Sequence, residues 1–237
     1  MKIKKIIILP IGSYEYHGTE LPPETDSIIS QNLASGLSSA LKKHFQSNII
    51  LLPAINYGLS LEHSGFPNTM FMAHKTFYDY LSNLLNSINE NNSLICIING
   101  HGGNINALQS IEADYNYTHQ NSKVFAPPLY PQNIQECCVK SFGEFDTHAG
   151  SVEASLISYY ANKPKKEYHA KTKKKFSGSL KFFRNIEIYP DGIIKELPLT
   201  TADPKKGKLL HEKMTDNLTD SILGLIANIE KIKKDIH

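Results

Sequence analysis

The chain has 237 residues, of which 41% are hydrophobic and 20% are charged, and its formal net charge is +2 at pH 7. This composition suits one globular domain over residues 1–237 and excludes disordered and collagen-like chains. The small net charge argues against nucleic acid or an anionic membrane as a partner, so we expect a small-molecule partner. No run approaches the roughly 20 apolar residues of a membrane span, and three cysteines make no disulfide framework. We therefore expect a cytoplasmic protein.

The hydrophobic pattern alternates between strands and helices along the chain. The run from Ile6 to Leu9 is apolar and β-branched, as in a strand covered on both faces, and it is too short for a signal peptide. Further strands are predicted at residues 48–53, 93–98 and 124–125. Apolar residues at helical spacing predict helices around residues 29–41, 77–88, 107–111 and 214–229. This alternation predicts an α/β fold with ligand sites near the carboxyl ends of its strands.

A first polar cluster follows the first strand, in the stretch GSYEYHGTELPPETD. Glu15 and His17 are one residue apart, so in extended backbone their side chains project to the same side. Asp26 lies just before a predicted helix that starts near Ser27, where a carboxylate could cap the helix or bridge two ions. Carboxylate and imidazole groups suit zinc, manganese or iron better than calcium. An exposed acidic loop explains the same residues, so this stretch alone leaves both interpretations open.

Two more polar clusters occur further along the chain. His101 lies within NGHGGN, whose glycines permit close approach of the main chain to a ligand, although a phosphate loop or a plain turn has the same pattern. The stretch FDTHAGSVEAS places Asp146, His148 and Glu153 around a turn that enters a helix at about Ser151. His148 could be a hydrogen-bonded turn histidine, and Glu153 could simply interact with the helix dipole. Three such clusters at strand-to-helix junctions together favour a metal site.

These motifs resemble those of the creatininase (creatinine amidohydrolase) family. The family's Gly-Ser-x-Glu-x-His-Gly segment, which leads through Leu-Pro to Thr-Asp, appears at residues 12–26. Its Tyr-Gly-x-Ser-x-Glu-His and Phe-Pro-Gly-Thr motifs appear as YGLSLEHSGFPNT at residues 57–69. The Asn-Gly-His-Gly-Gly-Asn and His-Ala-Gly-x-x-Glu motifs are complete at residues 99–104 and 148–153. In order and spacing, the motifs cover roughly the first two thirds of the chain.

The resemblance implies a three-layer α/β/α sandwich with a mostly parallel central sheet. It also implies a metal-dependent hydrolase with two divalent ions per subunit (zinc, manganese or iron) and a homo-oligomer, often a hexamer. Carried over by position in the motifs, Glu15 and His101 would bind one ion, His17 would bind the other, and Asp26 would bridge both.

One departure from the family pattern affects the second ion. In creatininase a carboxylate two residues after the motif histidine binds that ion, whereas this chain has Gly103 there. Glu153 is our candidate to complete the coordination in its place. The departure also puts creatinine itself in question as the substrate. Asn68 replaces the usual glycine of Phe-Pro-Gly-Thr, which is tolerable because asparagine adopts left-handed backbone angles more readily than most residues.

The implied reaction is hydrolysis of a C–N bond in a cyclic amide, a formamide or a related small molecule. A hydroxide held between two divalent ions would attack the carbonyl carbon, and the metal charge would stabilise the oxyanion. His148, oriented by Asp146, would move a proton to the leaving nitrogen, and Glu153 joins them as a catalytic candidate. The predicted substrate-binding residues, which a packed and hydrogen-bonded loop would also explain, are Ser60, His63 and Gly102.

Other functions remain open on the sequence. One is a family deformylase or peptidase of cofactor biosynthesis, such as the formamide deformylases of flavin and deazaflavin biosynthesis or the peptidase that trims a mycofactocin precursor. Another is a non-catalytic metal-binding assembly protein, which Gly103 keeps open. The lysine-rich segment 163–181 could attract a phosphorylated substrate or nucleic acid, or it could fold over the active site from a neighbouring subunit. Such a run is more often a solvated loop.

Overall fold

The computed structural model describes residues 2–44, 48–146, 148–169, 184–194 and 199–235. The strands are β1 (Lys5–Ile11), β2 (Asn48–Leu51), β3 (Ser93–Asn99), β4 (Ser122–Phe125), β5 (Lys166–His169) and β6 (Leu199–Ala202). The α-helices are α1 (Thr25–His44), α2 (His74–Ser87), α3 (Ile105–Thr118), α4 (Gln132–Phe142), α5 (Ser151–Tyr160), α6 (Asn185–Ile188) and α7 (Pro204–Asp235). Within these described ranges, no helix combines the length and apolarity of a membrane-crossing segment.

The central sheet consists of parallel strands in the order β2-β1-β3-β4. β1 and β3 lie at its centre and pair along their whole lengths, from Lys5 opposite Ser93 to Ile11 opposite Asn99. Because the strands are parallel, their carboxyl ends meet at one edge of the sheet. The motif loops at residues 12–26 and 99–104 both leave the sheet at that edge. β5 and β6 form a separate antiparallel pair.

Helices cover both faces of the central sheet. Side chains alternate between the two faces along a strand, so Ile6 and Ile8 of β1 pack with α1, α4, α5 and α7. Ile7 and Leu9 point the other way and pack with α2 and α3. Burial on both faces explains why β1 and β3 are continuous apolar runs rather than alternating ones. The structure thus confirms the three-layer α/β/α arrangement with a mostly parallel sheet.

The predicted elements are confirmed, with small differences at their ends. α1 begins at Thr25, two residues before the predicted start, and α7 extends well beyond the predicted 214–229. The hydrophobic pattern did not predict α4, which buries only Ile134 and Cys138, or the four-residue elements β5, β6 and α6. The three short elements contain too few apolar positions to define a periodic face. Residues 170–181 of the lysine-rich segment lie outside the described residues.

Two neighbouring leucines of α7 provide a matched test of this packing. Leu210 is 2% exposed and lies in the cluster with α1 and α5, whereas Leu209 is 47% exposed. Leu210→Ala should lower the free energy of unfolding by about 2–5 kcal/mol, because it leaves a cavity in the core. Leu209→Ala should change it by no more than about 0.5 kcal/mol. Urea unfolding followed by circular dichroism measures both, and equal effects would contradict the packing described for α7.

Candidate metal centre

Three segments bring the predicted metal ligands together at the carboxyl edge of the sheet. Glu15 and His17 follow β1, His101 follows β3, and Asp26 lies in the first turn of α1. Gly100 allows α1 to approach this edge, because a Cβ at that position would lie 2.2 Å from the carbonyl oxygen of Asp26. Only a glycine leaves room for the start of the helix so close to the end of the strand.

Asp26 faces two histidines through its two carboxylate oxygens. Oδ1 lies 3.2 Å from His17 Nε2, and Oδ2 lies 3.2 Å from His101 Nδ1. Glu15 Oε2 also lies 3.2 Å from His101 Nδ1. Glu15, Asp26 and His101 thereby form one group that could hold a cation, and it is the set that the family resemblance implies for the first ion. The position of Asp26 between two histidines is the geometry that a carboxylate bridging two ions requires.

Glu153 approaches His17 from α5. Its Oε2 lies 3.7 Å from His17 Nε2 and accepts a hydrogen bond from the backbone nitrogen of Ala149 at 2.7 Å. His17, His148 and Glu153 form a second group that could hold a cation. Glu153 therefore lies beside the histidine that the resemblance assigns to the second ion.

The buried carboxylates fit a bound cation. Glu15 is fully buried, and neither of its carboxylate oxygens has a hydrogen-bond partner among the described residues. Oδ2 of Asp26 is likewise without one in the described part of the chain. A buried carboxylate without donors is costly unless a positive charge compensates it. Because the surrounding ligand atoms are imidazole nitrogens and carboxylate oxygens, zinc, manganese and iron are suitable ions.

The same crowding of charges, together with burial, shifts the pKa values of His17 and Glu153. Burial alone would lower the pKa of His17, but the carboxylates of Asp26 and Glu153 outweigh it and raise this pKa to about 10. Burial raises the pKa of Glu153 to about 8, and the Asp26 carboxylate adds to the increase. Divalent cations would supply the same positive charge to these carboxylates.

His148 presents one ring nitrogen to the cluster. Its Nε2 lies 2.8 Å from the carbonyl oxygen of Tyr16, so Nε2 carries the hydrogen. Nδ1 then faces the carboxylates, 3.5 Å from Glu15 Oε1. Burial, together with the neighbouring imidazoles of His17 and His63, holds the pKa of His148 well below its usual value. A neutral His148 has a lone pair at Nδ1 that can accept a proton.

Asp146 lies at the start of α5. Its carboxylate accepts hydrogen bonds from the backbone nitrogens of Ser151 and Val152 in the first turn of that helix. A carboxylate at this position satisfies free backbone donors and interacts favourably with the helix dipole. These contacts fix the start of the helix that carries Glu153. The predicted role of Asp146 in orienting His148 stays a prediction.

The three predicted substrate-binding residues have different surroundings. Ser60 is fully buried, and its hydroxyl accepts a hydrogen bond from Ser13 Oγ at 2.9 Å. His63 is buried, with Nε2 3.4 Å from Glu15 Oε1. Gly102 is exposed, and a Cβ there would meet no described atom within 4 Å. Of the three, Gly102 borders open space and His63 borders the carboxylates.

Sequence patterns did not assign a role to two buried asparagines near the site. Asn185 donates a hydrogen bond to His63 Nε2 at 3.0 Å, and no motif marks its segment. His63 in turn forms a third group that could hold a cation, with Glu15 and His148. Asn104 is the last residue of the Asn-Gly-His-Gly-Gly-Asn motif, and its place in the motif is the one feature of the sequence that could have drawn attention to it. Its side chain is fully buried and hydrogen-bonded to both neighbouring loops.

Comparison with known protein sequences relates the chain to one family. A model of the family described as "Creatininase: Creatinine amidohydrolase" matches residues 1–222. The mycofactocin precursor peptide peptidase of Mycolicibacterium smegmatis is 29% identical over 152 residues, which cover 64% of this chain and 56% of that protein. The peptidase of the same name from Mycobacterium tuberculosis is 33% identical over 106 residues, which cover 43% of this chain and 42% of that protein. The matches thus span about half the length of these curated relatives.

Solved structures share the fold. A structure described as "Creatininase Mn" superimposes with a TM-score of 0.72 at 16% identity, covering 94% of this chain and 91% of that one. A putative creatinine amidohydrolase from Bacteroides fragilis superimposes with a TM-score of 0.68 at 19% identity, covering 95% of this chain and 89% of that one. With a family match along nearly the whole sequence, this chain belongs to the creatininase family.

Proposed function

We propose that the chain is an amidohydrolase with a two-metal centre that cleaves a C–N bond of a small cyclic amide or formamide. The observation that carries this proposal is the position of Asp26, whose two oxygens each lie 3.2 Å from a different histidine. Glu15, Asp26 and His101 would hold one divalent ion. His17, Asp26 and Glu153 would hold the other.

The chemistry divides between the ions and the side chains. When bound, the ions would supply the positive charge that lowers the pKa of water and stabilises a developing oxyanion. His148, whose ring is fixed by the Tyr16 carbonyl, accepts a proton at Nδ1 and delivers it to the leaving nitrogen. Asp146 holds the first turn of α5 and thereby the position of Glu153. Burial of Glu15 and Asp26 keeps bulk water away from the carboxylates.

Glu153→Gln tests the second ion's ligand set. We expect the bound metal to fall from about two ions to about one per chain, because an amide is a weaker ligand than a carboxylate and leaves the Glu15 group intact. Plasma mass spectrometry on protein purified without chelators measures the ratio. Glu136→Gln, an exposed change on α4, is the matched control. Full metal content in the Glu153→Gln variant would mean that the second ion takes its carboxylate from another residue.

Peptidase activity is a second candidate function. The curated relatives are named mycofactocin precursor peptide peptidases, which favours a peptide substrate. Exposed apolar side chains also occur on the loop between β2 and α2, and part of this loop pairs with the Glu15 loop through Tyr14 and Met70. Such side chains could contact an apolar residue of a peptide. They are Tyr57, Leu61, Met70 and Phe71.

A substrate panel separates the candidates. Metal-loaded and chelator-treated protein would be incubated with cyclic amides, including creatinine, with N-formyl compounds and with short peptides, and products followed by mass spectrometry. We expect hydrolysis of a cyclic amide or a formamide that is lost on chelation and restored by metal. Cleavage of peptides alone would favour the second candidate. Bound metal with no turnover across the panel would contradict both and favour a non-catalytic binding protein.

A further inference from the structure

His101 has different partners at its two ring nitrogens. Nδ1 lies 3.2 Å from both Glu15 Oε2 and Asp26 Oδ2. Nε2 lies 2.9 Å from the carbonyl oxygen of Leu59, which can only accept a hydrogen bond. The hydrogen therefore belongs on Nε2, and the lone pair of Nδ1 is directed at the two carboxylates where an ion would bind. The Leu59 carbonyl thus determines which nitrogen of His101 is the metal ligand.

Asn104 anchors Leu59 through its backbone nitrogen, one peptide unit before the Leu59 carbonyl. Its Oδ1 accepts a hydrogen bond from the Leu59 backbone nitrogen at 2.9 Å. Its Nδ2 donates to the Gly12 carbonyl and to Asn99 Oδ1, each at 3.1 Å. Asn99 in turn bonds the backbone of His101 at both its nitrogen and its oxygen. Because Asn104 is fully buried, water does not compete for these bonds, and the side chain ties the ends of β1 and β3 to the loop that carries Leu59.

Gly103 provides the space that the Leu59 carbonyl occupies. A Cβ at position 103 would lie 2.1 Å from that oxygen and 2.4 Å from His101 Nε2. Both distances are far below van der Waals contact, so a side chain at this position would displace the carbonyl, the imidazole ring or both. Here the position at which creatininase has a metal-binding carboxylate lies against the group that orients His101.

Glu62 is the competing acceptor for the same hydrogen. Its Oε1 lies 3.4 Å from His101 Nε2, and its side chain is 37% exposed. The longer distance and the access to water make this the weaker contact. The Leu59 carbonyl is closer, and the backbone nitrogen of the same residue is held by the buried side chain of Asn104.

We propose that Asn104 is a positioning residue of the metal centre. By holding the backbone nitrogen of Leu59, it keeps the carbonyl of that residue against His101 Nε2 and leaves Nδ1 available for the ion held with Glu15 and Asp26. The inference rests on the proposed metal centre and is independent of the substrate. Loss of the hydrogen-bond partner of a metal-binding histidine typically lowers metal affinity about 10–100-fold without removing a ligand. Asn104 holds that partner and does not bond the imidazole itself.

The test measures zinc affinity and the ring of His101 in the full chain. Chelator competition gives the affinity for Zn²⁺, and ¹⁵N NMR of the zinc-loaded, histidine-labelled protein shows which ring nitrogen carries the hydrogen. The His101 signal is assigned with a His101→Gln variant. For Asn104→Ala we expect about a 10–100-fold loss of zinc affinity and faster exchange of the Nε2 hydrogen with water.

Asn116→Ala is the matched control, because Asn116 lies in the last turn of α3 and bonds both the backbone nitrogen and oxygen of Val124 at 2.8 Å. This variant removes a similar number of hydrogen bonds at a place distant from the metal ligands. We expect it to change neither the zinc affinity nor the exchange rate of the His101 Nε2 hydrogen. The proposal would be overturned if Asn116→Ala lost as much zinc affinity as Asn104→Ala, or if Asn104→Ala kept the zinc affinity of the unmodified chain. A loss of zinc affinity in Glu62→Gln but not in Asn104→Ala would also overturn it, since Glu62 would then be the group that orients His101.

Gly103→Ala tests the contact between the Leu59 carbonyl and His101 Nε2 while leaving Asn104 unchanged. It serves as the test if Asn104→Ala does not fold. We expect its zinc affinity to fall by a similar factor, because its methyl group displaces the Leu59 carbonyl. Undiminished affinity would show that this carbonyl does not orient His101. Failure of the unmodified chain to bind zinc would contradict the proposed function as well. Zinc binding that is independent of Asn104 and Gly103 would contradict the positioning role alone.

Discussion

Asp26→Ala is expected to remove both metal ions and to reduce hydrolysis to the background rate. Asp26 has one carboxylate oxygen toward His17 and the other toward His101, so its loss deprives both proposed ions of a ligand. Glu15 and His101 would remain on one side, with His17 and Glu153 on the other. Two ligands on each side are too few for a stable site of the kind that proteins build for zinc.

Metal content and the hydrolysis rate are measured together in this variant. Asp79→Ala, an exposed carboxylate on α2 that pairs with Lys75, is the control and should keep both ions and full activity. Circular dichroism checks that α1 still forms, since Asp26 lies in its first turn. Full metal content with full activity in Asp26→Ala would contradict the bridging role.

His148→Ala is expected to lower kcat by about 10²–10⁴-fold while the metal content stays unchanged. The imidazole faces the carboxylates through Nδ1 and is held at Nε2 by the Tyr16 carbonyl, which suits transfer of a proton to a leaving nitrogen. Alanine removes the proton carrier but leaves the proposed ligands in place. The rate per bound metal, measured on the best substrate of the panel, isolates this effect.

The alternative for His148 is direct metal binding, because it also forms a group with His17 and Glu153. In that case His148→Ala would lose metal, and the rate per remaining binuclear site would be unchanged. His119→Ala is the control, since His119 stacks on Tyr115 beyond the end of α3. It should alter neither quantity.

The central layers of the fold could be predicted from the sequence because their signals are local. A strand buried on both faces needs a continuous apolar run, as β1 has, and a helix packed on it needs apolar residues three or four positions apart, as Leu33, Leu37 and Leu41 provide. β6 has no such signal. In β6, the Thr201 backbone nitrogen donates to Ser151 Oγ, and the Thr201 carbonyl accepts from Ser155 Oγ. Both serines lie in α5, and such distant contacts leave no local pattern.

The proposed ligands could be located because they follow strand ends or begin helices within recognisable motifs. Parallel pairing of β1 with β3 then brings Glu15 and His101 to the same edge of the sheet. The groups that orient these ligands could not be predicted in the same way. The Leu59 and Tyr16 carbonyls are backbone atoms, so their contacts with His101 and His148 do not depend on residue type.

The central claim is a two-metal centre, and the metal content of the unmodified chain tests it most directly. Protein purified without chelators or an affinity tag would be analysed by plasma mass spectrometry, before and after reconstitution with zinc, manganese or iron. We predict about two transition-metal ions per chain. One ion or none after reconstitution would contradict the account.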